Sequence, residues 1–156
     1  MSVENRDRKT VNFAKFEFLS CPENVGLARM TIASFASQLD MTLNDLEELK
    51  VAASEAVSNS VIHGYENKPV GTIRMIAHLY EDALEIVIED DGKGIEDIEL
   101  ATQPAYSTVP ERMGLGFVFM NSFMDEVHVK SNINQGTKVI LRKYLASQEN
   151  SAQSSV

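Results

Sequence analysis

Glu55 and Asn59 are the residues of this sequence whose types and spacing best suit catalysis, because they stand one helical turn apart. At roughly 100° per residue, positions four apart drift by about 40°, so Glu55, Asn59 and His63 form one polar stripe along a helix. A carboxylate can take a proton from a hydroxyl group, and a carboxamide oxygen can complete the oxygen shell of Mg²⁺. The neighbouring Ala52 and Ala56 are small and leave room for a ligand beside this stripe.

The same stripe is also compatible with a solvent-exposed helix face that ends at a glycine cap, Gly64. In either case the helix needs a core face, and apolar residues recur at helical spacing on another of its sides. We expect the helix to begin after Thr42, which together with Asp45 resembles a capping box. The expected core face consists of Leu46, Leu49, Ala53, Val57 and Val61.

A second candidate group lies in the segment Asp90-Asp91-Gly92-Lys93-Gly94. The two-residue period of the preceding strand points Asp90 to the buried face, where a carboxylate is costly unless a polar group meets it. Gly92 and Gly94 let the backbone turn sharply or pass close to a ligand. The segment lacks the third glycine of a dinucleotide-binding turn and the spaced carboxylates of a calcium loop, and the chain contains no P-loop sequence.

A third candidate group follows an irregular segment from Thr102 to Met113. A loop of about a dozen residues in a compact domain is usually functional or disordered. It ends in Gly114-Leu115-Gly116, and the helix that follows can offer its N-terminus to an anion. The apolar side of this helix is expected to consist of Phe117, Met120, Phe123 and Met124.

The composition narrows the class of protein. The chain has 156 residues, 44% hydrophobic and 24% charged, which suits one globular domain with a sizeable core. Its formal net charge of -9 argues against a general nucleic-acid or anionic-membrane surface, since phosphate binding needs clustered Lys and Arg. Cys21 is the sole cysteine, which excludes an internal disulfide, and His63, His78 and His128 lack metal-ligand spacing, so we expect structural roles for them. With no signal peptide and no run of about 20 apolar residues, we expect a soluble cytoplasmic protein.

Alternation and helical periods predict an α/β domain over 11–145, after a flexible extension over 1–10 and before a disordered polar tail over 146–156. Strands are predicted over 11–18, 73–79, 84–88, 127–131 and 137–141, and further helices over 23–39 and 95–101. The apolar phase of the first strand slips between Phe13 and Phe16, and this strand is a candidate pairing edge. The apolar side of the helix over 23–39 is expected to be Leu27, Met30, Thr31, Ser34, Phe35 and Leu39.

Four short boxes stand in an order that resembles the GHKL superfamily of ATPases and kinases, in which such boxes surround ATP and Mg²⁺ beneath a flexible lid. The boxes are Glu55-x-x-x-Asn59, Asp90-x-Gly92-x-Gly94, Gly114-x-Gly116 and Gly136-Thr137. The resemblance spans residues 10 to 145. It implies a two-layer α/β sandwich, the Bergerat (GHKL) ATP-binding fold, with helices on one face of a mixed, mostly antiparallel sheet and ATP between the helices and the lid.

Within that superfamily, the chain is similar to the short anti-sigma factor kinases, above all to those of endospore-forming bacteria that act on sigma F. The similarity implies an anti-sigma factor that sequesters a sigma F type sigma factor and, as an ATP-dependent serine kinase, phosphorylates its anti-anti-sigma factor. Two alternatives stay open: a nucleotide-gated sigma-factor-binding protein without phosphoryl transfer, and a stress-response kinase of the sigma B type. The catalytic half of a histidine kinase is disfavoured because the sequence shows no acceptor-histidine domain. The matching stretches are Ser54-Glu55-Ala56-Val57, Ile62-His63-Gly64-Tyr65-Glu66-Asn67, Gln103-Pro104 and Phe123-Met124-Asp125.

The resemblance also implies roles at the phosphate end of a nucleotide. Asn59 is expected to coordinate Mg²⁺ and Glu55 to act as base on the incoming serine. Amides at the start of the helix, in Gly114-Leu115-Gly116, are expected to meet the phosphates, and Arg112 is the natural cation for the γ-phosphate. Lys93 is a further candidate cation, although a solvated lysine is the favoured interpretation.

At the base end, the resemblance implies that Asp90 accepts a hydrogen bond from the adenine amino group. Thr137 is expected to assist there through its hydroxyl or a water molecule. Gly92 and Gly94 are expected to let the backbone approach the base.

The partner surface implied by the resemblance centres on Arg29, since Leu27-Ala28-Arg29 matches a segment whose arginine contacts both the sigma factor and the anti-anti-sigma factor. Helical spacing turns Arg29 away from the predicted apolar side, so we expect it to be exposed. A homodimer paired through the first strand is also implied. Two departures from the family concern the lid, which is shorter between Pro110 and Gly114 and carries Met113 where a small polar residue is usual.

Overall fold

A computed structural model describes residues 8–103 and 113–146 and arranges them in five strands, four α-helices and one π-helical turn. None of the helices in these residues is long and apolar enough to cross a membrane. Every predicted strand and helix is present, while most of the predicted loop over 102–113 and of the predicted tail lies outside the described residues. In chain order the elements are β1 (Thr10–Leu19), α1 (Glu23–Ala36), α2 (Leu43–Asn59), the π-helical turn (Ser60–Gly64), β2 (Thr72–Tyr80), β3 (Ala83–Asp90), α3 (Ile98–Ala101), α4 (Met113–Phe123), β4 (Glu126–Asn132) and β5 (Gly136–Tyr144).

The five strands form one sheet in the order β1-β2-β3-β5-β4. Each pairing within the described residues is antiparallel, where a mixed, mostly antiparallel sheet was expected. The register of β3 on β5 places Asp90 directly opposite Thr137. Two residues that stand far apart in the sequence therefore meet at one end of the sheet.

The core lies between one face of the sheet and the helices, as the two-layer prediction requires. Because side chains alternate along a strand, every second residue of β2 and β3 is buried against helices α1, α2 and α4. The predicted core face is confirmed: Leu46 is partly buried, the next three positions on α2 are almost fully buried, and so is Val61 in the π-helical turn. Phe117 and Met120 are buried on α4, Met124 is buried directly after it, and Phe123 packs against the core, which confirms the predicted apolar side.

The edge strand β1 explains the apparent slip of its apolar phase. Phe16 and Phe18 pack against the core, whereas Phe13 points to the opposite face of the sheet with 56% of its surface exposed. The side chain of Phe13 stacks on His78, which gives that histidine a place on the open face. The strand thus keeps one register from Phe13 to Phe18, and Phe13 faces the opposite side of the sheet from Phe16 and Phe18.

The buried side of α1 differs from the predicted one. Leu27 and Met30, predicted to face the core, are 56% and 63% exposed, whereas Ala28 and Ile32, which were not predicted, are buried. Phe35 is buried and Leu39 packs against the core, as predicted. Helix α1 packs against α2, and the side of α1 that is buried there depends on the packing of the two helices, which the spacing of apolar residues within α1 does not determine. The helix also ends at Ala36, three residues before the predicted boundary of 39.

Helix α2 begins at a side-chain cap and continues at its C-terminal end into a π-helical turn. The Thr42 hydroxyl accepts a hydrogen bond from the Asp45 amide at 3.0 Å, which confirms the predicted cap. After Asn59 the chain continues into a π-helical turn that reaches Gly64. A π-helical turn holds more residues than an α-helical one, so the residues after Asn59 do not follow the α-helical spacing on which the predicted stripe was based.

Candidate active site

A cavity lies between the end of α2, the π-helical turn, β3, β5 and α4. Four predicted site residues line it: Asn59, Asp90, Gly94 and Thr137. His63, for which a structural role was predicted, is buried and also lines this cavity. A few polar groups converging on a largely apolar wall are typical of a small-molecule site.

Asp90 lies at the buried end of β3, with 4% of its surface exposed. The Ser60 hydroxyl donates to one carboxylate oxygen at 2.7 Å, and the Gly92 amide donates to the other at 3.0 Å. Burial raises the pKa of Asp90, and the hydrogen bonds from Ser60, Gly92 and the Thr137 amide oppose that rise. A carboxylate has about four acceptor positions, so this one can still accept a hydrogen bond from a ligand.

We expect Asp90→Asn to weaken ATP binding by at least about tenfold and to lower thermal stability, because the amide nitrogen of asparagine cannot accept the hydrogen bond that one carboxylate oxygen now accepts from the protein. The raised pKa of Asp90 acts in the opposite direction, since ionised Asp90 opposes folding at neutral pH and asparagine removes that part of the cost. Affinity measured by calorimetry and the melting temperature test the two parts. Asp82→Asn, at the exposed β2–β3 turn, is the matched control. An unchanged preference for adenine over guanine nucleotides in Asp90→Asn would contradict the assignment.

The turn after β3 is fastened to the π-helical turn at close range. The Lys93 amide donates to the Gly64 carbonyl at 3.0 Å. A Cβ atom on Gly92 would collide with that carbonyl group, and one on Gly64 would lie 3.1 Å from Oδ1 of Asp90. Glycine is therefore needed at Gly92, where a Cβ atom would meet backbone, whereas at Gly64 a Cβ atom would crowd the Asp90 carboxylate. Gly92 thus makes room for the backbone of Gly64, while Gly94 lines the cavity itself.

Tyr65 and Arg74 hold the neighbouring Asp91 from two sides. The Tyr65 hydroxyl accepts from the Asp91 amide at 2.7 Å and donates to the Thr72 carbonyl at 2.8 Å. Arg74 donates to both carboxylate oxygens of Asp91, at 2.8 and 3.0 Å, and holds the pKa of that carboxyl below its usual value. This clamp fixes the backbone next to Asp90.

Sequence reasoning assigned no role to Ser60 or Tyr65. The one feature of the sequence that could have indicated a role is that both carry hydroxyl groups within a few residues of His63-Gly64. Their partners, however, lie 30 residues away at Asp90 and 26 residues away at Asp91. Local periodicity carries no information on such pairs.

Glu55 and Asn59 reach the first turn of α4 together. A Cβ atom on Gly116 would lie 3.0 Å from Oε2 of Glu55 and 3.5 and 3.6 Å from the two terminal atoms of the Asn59 carboxamide. Nδ2 of Asn59 is buried and has no hydrogen-bond partner among the described residues. A buried polar atom in that state is costly, so this carboxamide is suited to bind a ligand group that contacts it.

Within the described residues, the others that were predicted to bind the phosphates do not line the cavity described above. Gly114 passes close to Gln103, because a Cβ atom on it would lie 2.6 Å from that carbonyl oxygen. Leu115 is 50% exposed, and the side chain of Lys93 is 54% exposed, as expected for a solvated lysine. Arg112 lies outside the described residues, as do Pro110 and the side chain of Met113, on which the lid departures depend.

Arg29 lies on α1 and is exposed, as predicted, but it has two kinds of neighbour that were not predicted: a hydroxyl group of α2 and exposed apolar side chains of α1. Its Nε donates to the Ser54 hydroxyl at 2.7 Å, and Ser54 immediately precedes Glu55 on α2. Leu27 and Met30 are exposed on the same helix, so Arg29 belongs to a surface that also contains apolar groups.

Comparison with known families matches residues 18–143 to the family described as "Histidine kinase-like ATPase domain". Among curated proteins, the chain is 47% identical over 134 residues to the anti-sigma F factor of Clostridium kluyveri, covering 85% of this chain and 94% of that protein. It is 44% identical over 140 residues to the anti-sigma F factor of Clostridium novyi, covering 88% of this chain and 98% of that protein.

Among solved structures, the chain is similar to one containing the RsbU and RsbW domains of a Mycobacterium tuberculosis protein, with a TM-score of 0.62 at 16% identity. The similarity covers 85% of this chain and 32% of that longer one. At this identity the match supports the fold alone, and it agrees with the two-layer architecture described above.

Proposed function

This chain belongs to the anti-sigma F factors, which carry a histidine kinase-like ATPase domain, and from that membership we propose that it is a serine kinase for an anti-anti-sigma factor. The domain implies ATP binding. We further propose that the sigma factor it inhibits is of the sigma F type, and that phosphorylation keeps the anti-anti-sigma factor from displacing that sigma factor.

The observation that carries the proposal is the meeting of Glu55, Asn59 and Gly116. A kinase needs a base for the acceptor hydroxyl beside a group that positions the phosphates. Here a carboxylate and a carboxamide, one turn apart on α2, flank the first turn of α4, whose leading N–H groups have no acceptor within their own helix. This arrangement supports the proposal that the pair takes part in transfer of a phosphoryl group as well as in binding.

At the phosphate end, the residues fit ATP with Mg²⁺. Mg²⁺ is commonly held by one or two protein groups together with substrate phosphates, and the Asn59 carboxamide oxygen would be one such ligand. The carboxamide nitrogen, which has no partner among the described residues, would donate to a phosphate oxygen. When bound, the ion would offset negative charge on the phosphates. Gly114-Leu115-Gly116 would present amides to those phosphates, and Arg112 would supply positive charge at the terminal one.

In the proposed reaction, Glu55 accepts the proton of the serine hydroxyl as that oxygen attacks the terminal phosphorus of ATP, and ADP leaves. At the other end of the cavity, Asp90 and Thr137 would bind the adenine edge while Gly92 and Gly94 shape the turn beside it. The cavity lining and the hydrogen bonds around Asp90 support this assignment.

Transfer of label from γ-labelled ATP to a purified anti-anti-sigma factor tests the proposal. We expect labelling that requires Mg²⁺ and that falls on serine, identified by mass spectrometry. Absence of labelling, with ATP-dependent sigma-factor binding intact, would favour a nucleotide-gated binding protein over a kinase. Preferential binding of a sigma B type factor would instead support the stress-response alternative.

Arg29 is the proposed contact for both protein partners. A guanidinium group can bind a carboxylate of either partner through two parallel hydrogen bonds. Its bond to Ser54, next to Glu55, would bring a partner docked at Arg29 close to the proposed base. The exposed Leu27 and Met30 provide apolar area around that charge, as protein interfaces commonly do.

We expect Arg29→Glu to weaken binding of both the sigma factor and the anti-anti-sigma factor by about 30-fold or more, since loss of a paired charge at an interface typically costs at least about 2 kcal/mol. ATP affinity should not change, because Arg29 lies outside the cavity. Titration calorimetry measures all three affinities. Lys68→Glu makes the same charge change at an exposed site and serves as the control. Normal affinity of Arg29→Glu for both proteins would exclude the shared contact.

A homodimer is the remaining part of the proposal. Strand β1 is an edge of the sheet, so one side of its backbone is free of pairing within this sheet. Val11, Phe13 and Leu19 on this strand are each about half exposed, which supports its use as a contact between copies.

A further inference from the structure

Ser131 on β4 joins three segments at the base end of the cavity, although no role had been predicted for it. Its hydroxyl oxygen accepts from the Ile95 amide at 2.8 Å. The same oxygen lies 3.0 Å from the Gly136 carbonyl oxygen and 2.8 Å from the hydroxyl oxygen of Thr137. Ile95 and Thr137 both line the cavity, so Ser131 contacts its wall from behind.

The number of protons in this cluster decides the direction of each hydrogen bond. A serine hydroxyl has one proton to donate and two lone pairs to accept with, and the Ile95 amide uses one lone pair. If Ser131 donates to the Gly136 carbonyl, the Thr137 hydroxyl donates to the second lone pair of Ser131, and all three contacts are hydrogen bonds. If Ser131 donates to Thr137 instead, the Gly136 carbonyl loses this bond. The first arrangement makes one hydrogen bond more and is therefore favoured.

In the favoured arrangement, the proton of Thr137 is directed to Ser131, away from the cavity. The Thr137 oxygen then presents lone pairs to a ligand, so it acts as an acceptor. The neighbouring Asp90 carboxylate also presents acceptors, because its own hydrogen bonds come from donors of the protein. This end of the cavity is thus lined by acceptors, and it matches a ligand edge that carries N–H donors.

We propose that Ser131 is a positioning residue that orients the Thr137 hydroxyl and so makes the site select a 6-aminopurine nucleotide over a 6-oxopurine one. A 6-amino group donates to acceptors, directly or through one water molecule, whereas a 6-oxo group would set an acceptor against acceptors. Sites that bind a polar group through buried partners discriminate strongly against an analogue that leaves those partners unpaired. This inference rests on the proposed binding of ATP at this cavity.

The test compares the affinities of ATP and inosine triphosphate, which differ at position 6 and in the proton on the adjacent ring nitrogen. We expect the unmodified protein to prefer ATP, and Ser131→Ala to reduce the ratio of the two affinities by about tenfold, the typical worth of one oriented hydrogen bond. Ser131→Thr, which keeps the hydroxyl, should restore the preference. Ser131→Cys, with a weakly hydrogen-bonding thiol of similar size, provides the measurement if the alanine variant does not fold.

A double-mutant cycle with Thr137→Val shows whether Ser131 orients the Thr137 hydroxyl or only stabilises the β4–β5 hairpin. If Ser131 acts through Thr137, then adding Ser131→Ala to Thr137→Val should leave the affinity ratio unchanged. An equal loss of affinity for both nucleotides in Ser131→Ala, with the ratio preserved, would show that Ser131 has a structural role only. That result would overturn the inference about Ser131 but not the proposed binding of ATP. Equal binding of the two nucleotides by the unmodified protein would overturn the adenine assignment of the site as well.

Discussion

Replacing Glu55 with glutamine should lower the rate of phosphoryl transfer to the anti-anti-sigma factor by about 10²- to 10⁴-fold, the usual worth of a general base. Glutamine keeps the size and much of the hydrogen-bonding capacity of the side chain but cannot take the serine proton. Because glutamine keeps the shape of the side chain beside Gly116, ATP affinity should stay within about twofold of the unmodified protein. Single-turnover transfer from γ-labelled ATP measures the chemical step, and calorimetry measures binding.

Glu47→Gln is the matched control for this experiment. It makes the same chemical change on the same helix, at a carboxylate that is 66% exposed and paired with Lys50. An exposed pair of this kind contributes little, so the control should transfer phosphate at the normal rate. A full transfer rate in Glu55→Gln with normal ATP binding would remove Glu55 from the role of base.

Replacing Asn59 with alanine is expected to abolish Mg²⁺-dependent ATP binding, with a loss of at least about 100-fold in affinity, by analogy with the loss of a group that supports a metal site. Asn59→Asp should also abolish it, since a second negative charge beside the phosphates replaces a neutral ligand. Calorimetry in Mg²⁺ and in EDTA tests both variants. In EDTA, the unmodified protein and the alanine variant should bind ATP similarly.

The fold should tolerate loss of the Asn59 carboxamide. Its buried Nδ2 has no partner among the described residues, so alanine breaks no hydrogen bond of that atom and the melting temperature should not fall. Asn44→Ala, near the exposed start of α2, is the control, because its amide donates to Glu48 far from the cavity. Unchanged ATP affinity in a folded Asn59→Ala protein would exclude Asn59 from the site.

These two variants separate chemistry from binding on one helix. Glu55 and Asn59 lie one turn apart and approach the same glycine, Gly116, yet we expect the first to affect rate and the second affinity. A substitution at Gly116 would disturb both at once, because any side chain there enters the space that the two residues share. It is therefore less informative than either single replacement.

The sequence alone predicted the strands and α-helices and, for β2 and β3, the face on which each residue lies. Alternation in β2 and β3 follows from the local geometry of an extended chain, so the buried position of Asp90 was predicted from residues next to it. The cap formed by Thr42 and the core face of α2 were predicted for the same reason, since both depend on residues within a few positions. The order of the glycine boxes carried the family resemblance, which the matched relatives confirm.

Tertiary structure decided which groups meet and which helix side is buried. Leu27 and Met30 are exposed because α1 buries another side, which carries Ala28 and Ile32, and the buried side of a helix depends on how it packs against its neighbours. The contacts of Ser60 with Asp90 and of Ser131 with Thr137 join residues on different elements, and they exist because the π-helical turn and the β4–β5 pairing bring those elements together. Periodicity reports the side of an element on which a residue lies, but a contact depends on the packing of two elements, which no single stretch of sequence specifies.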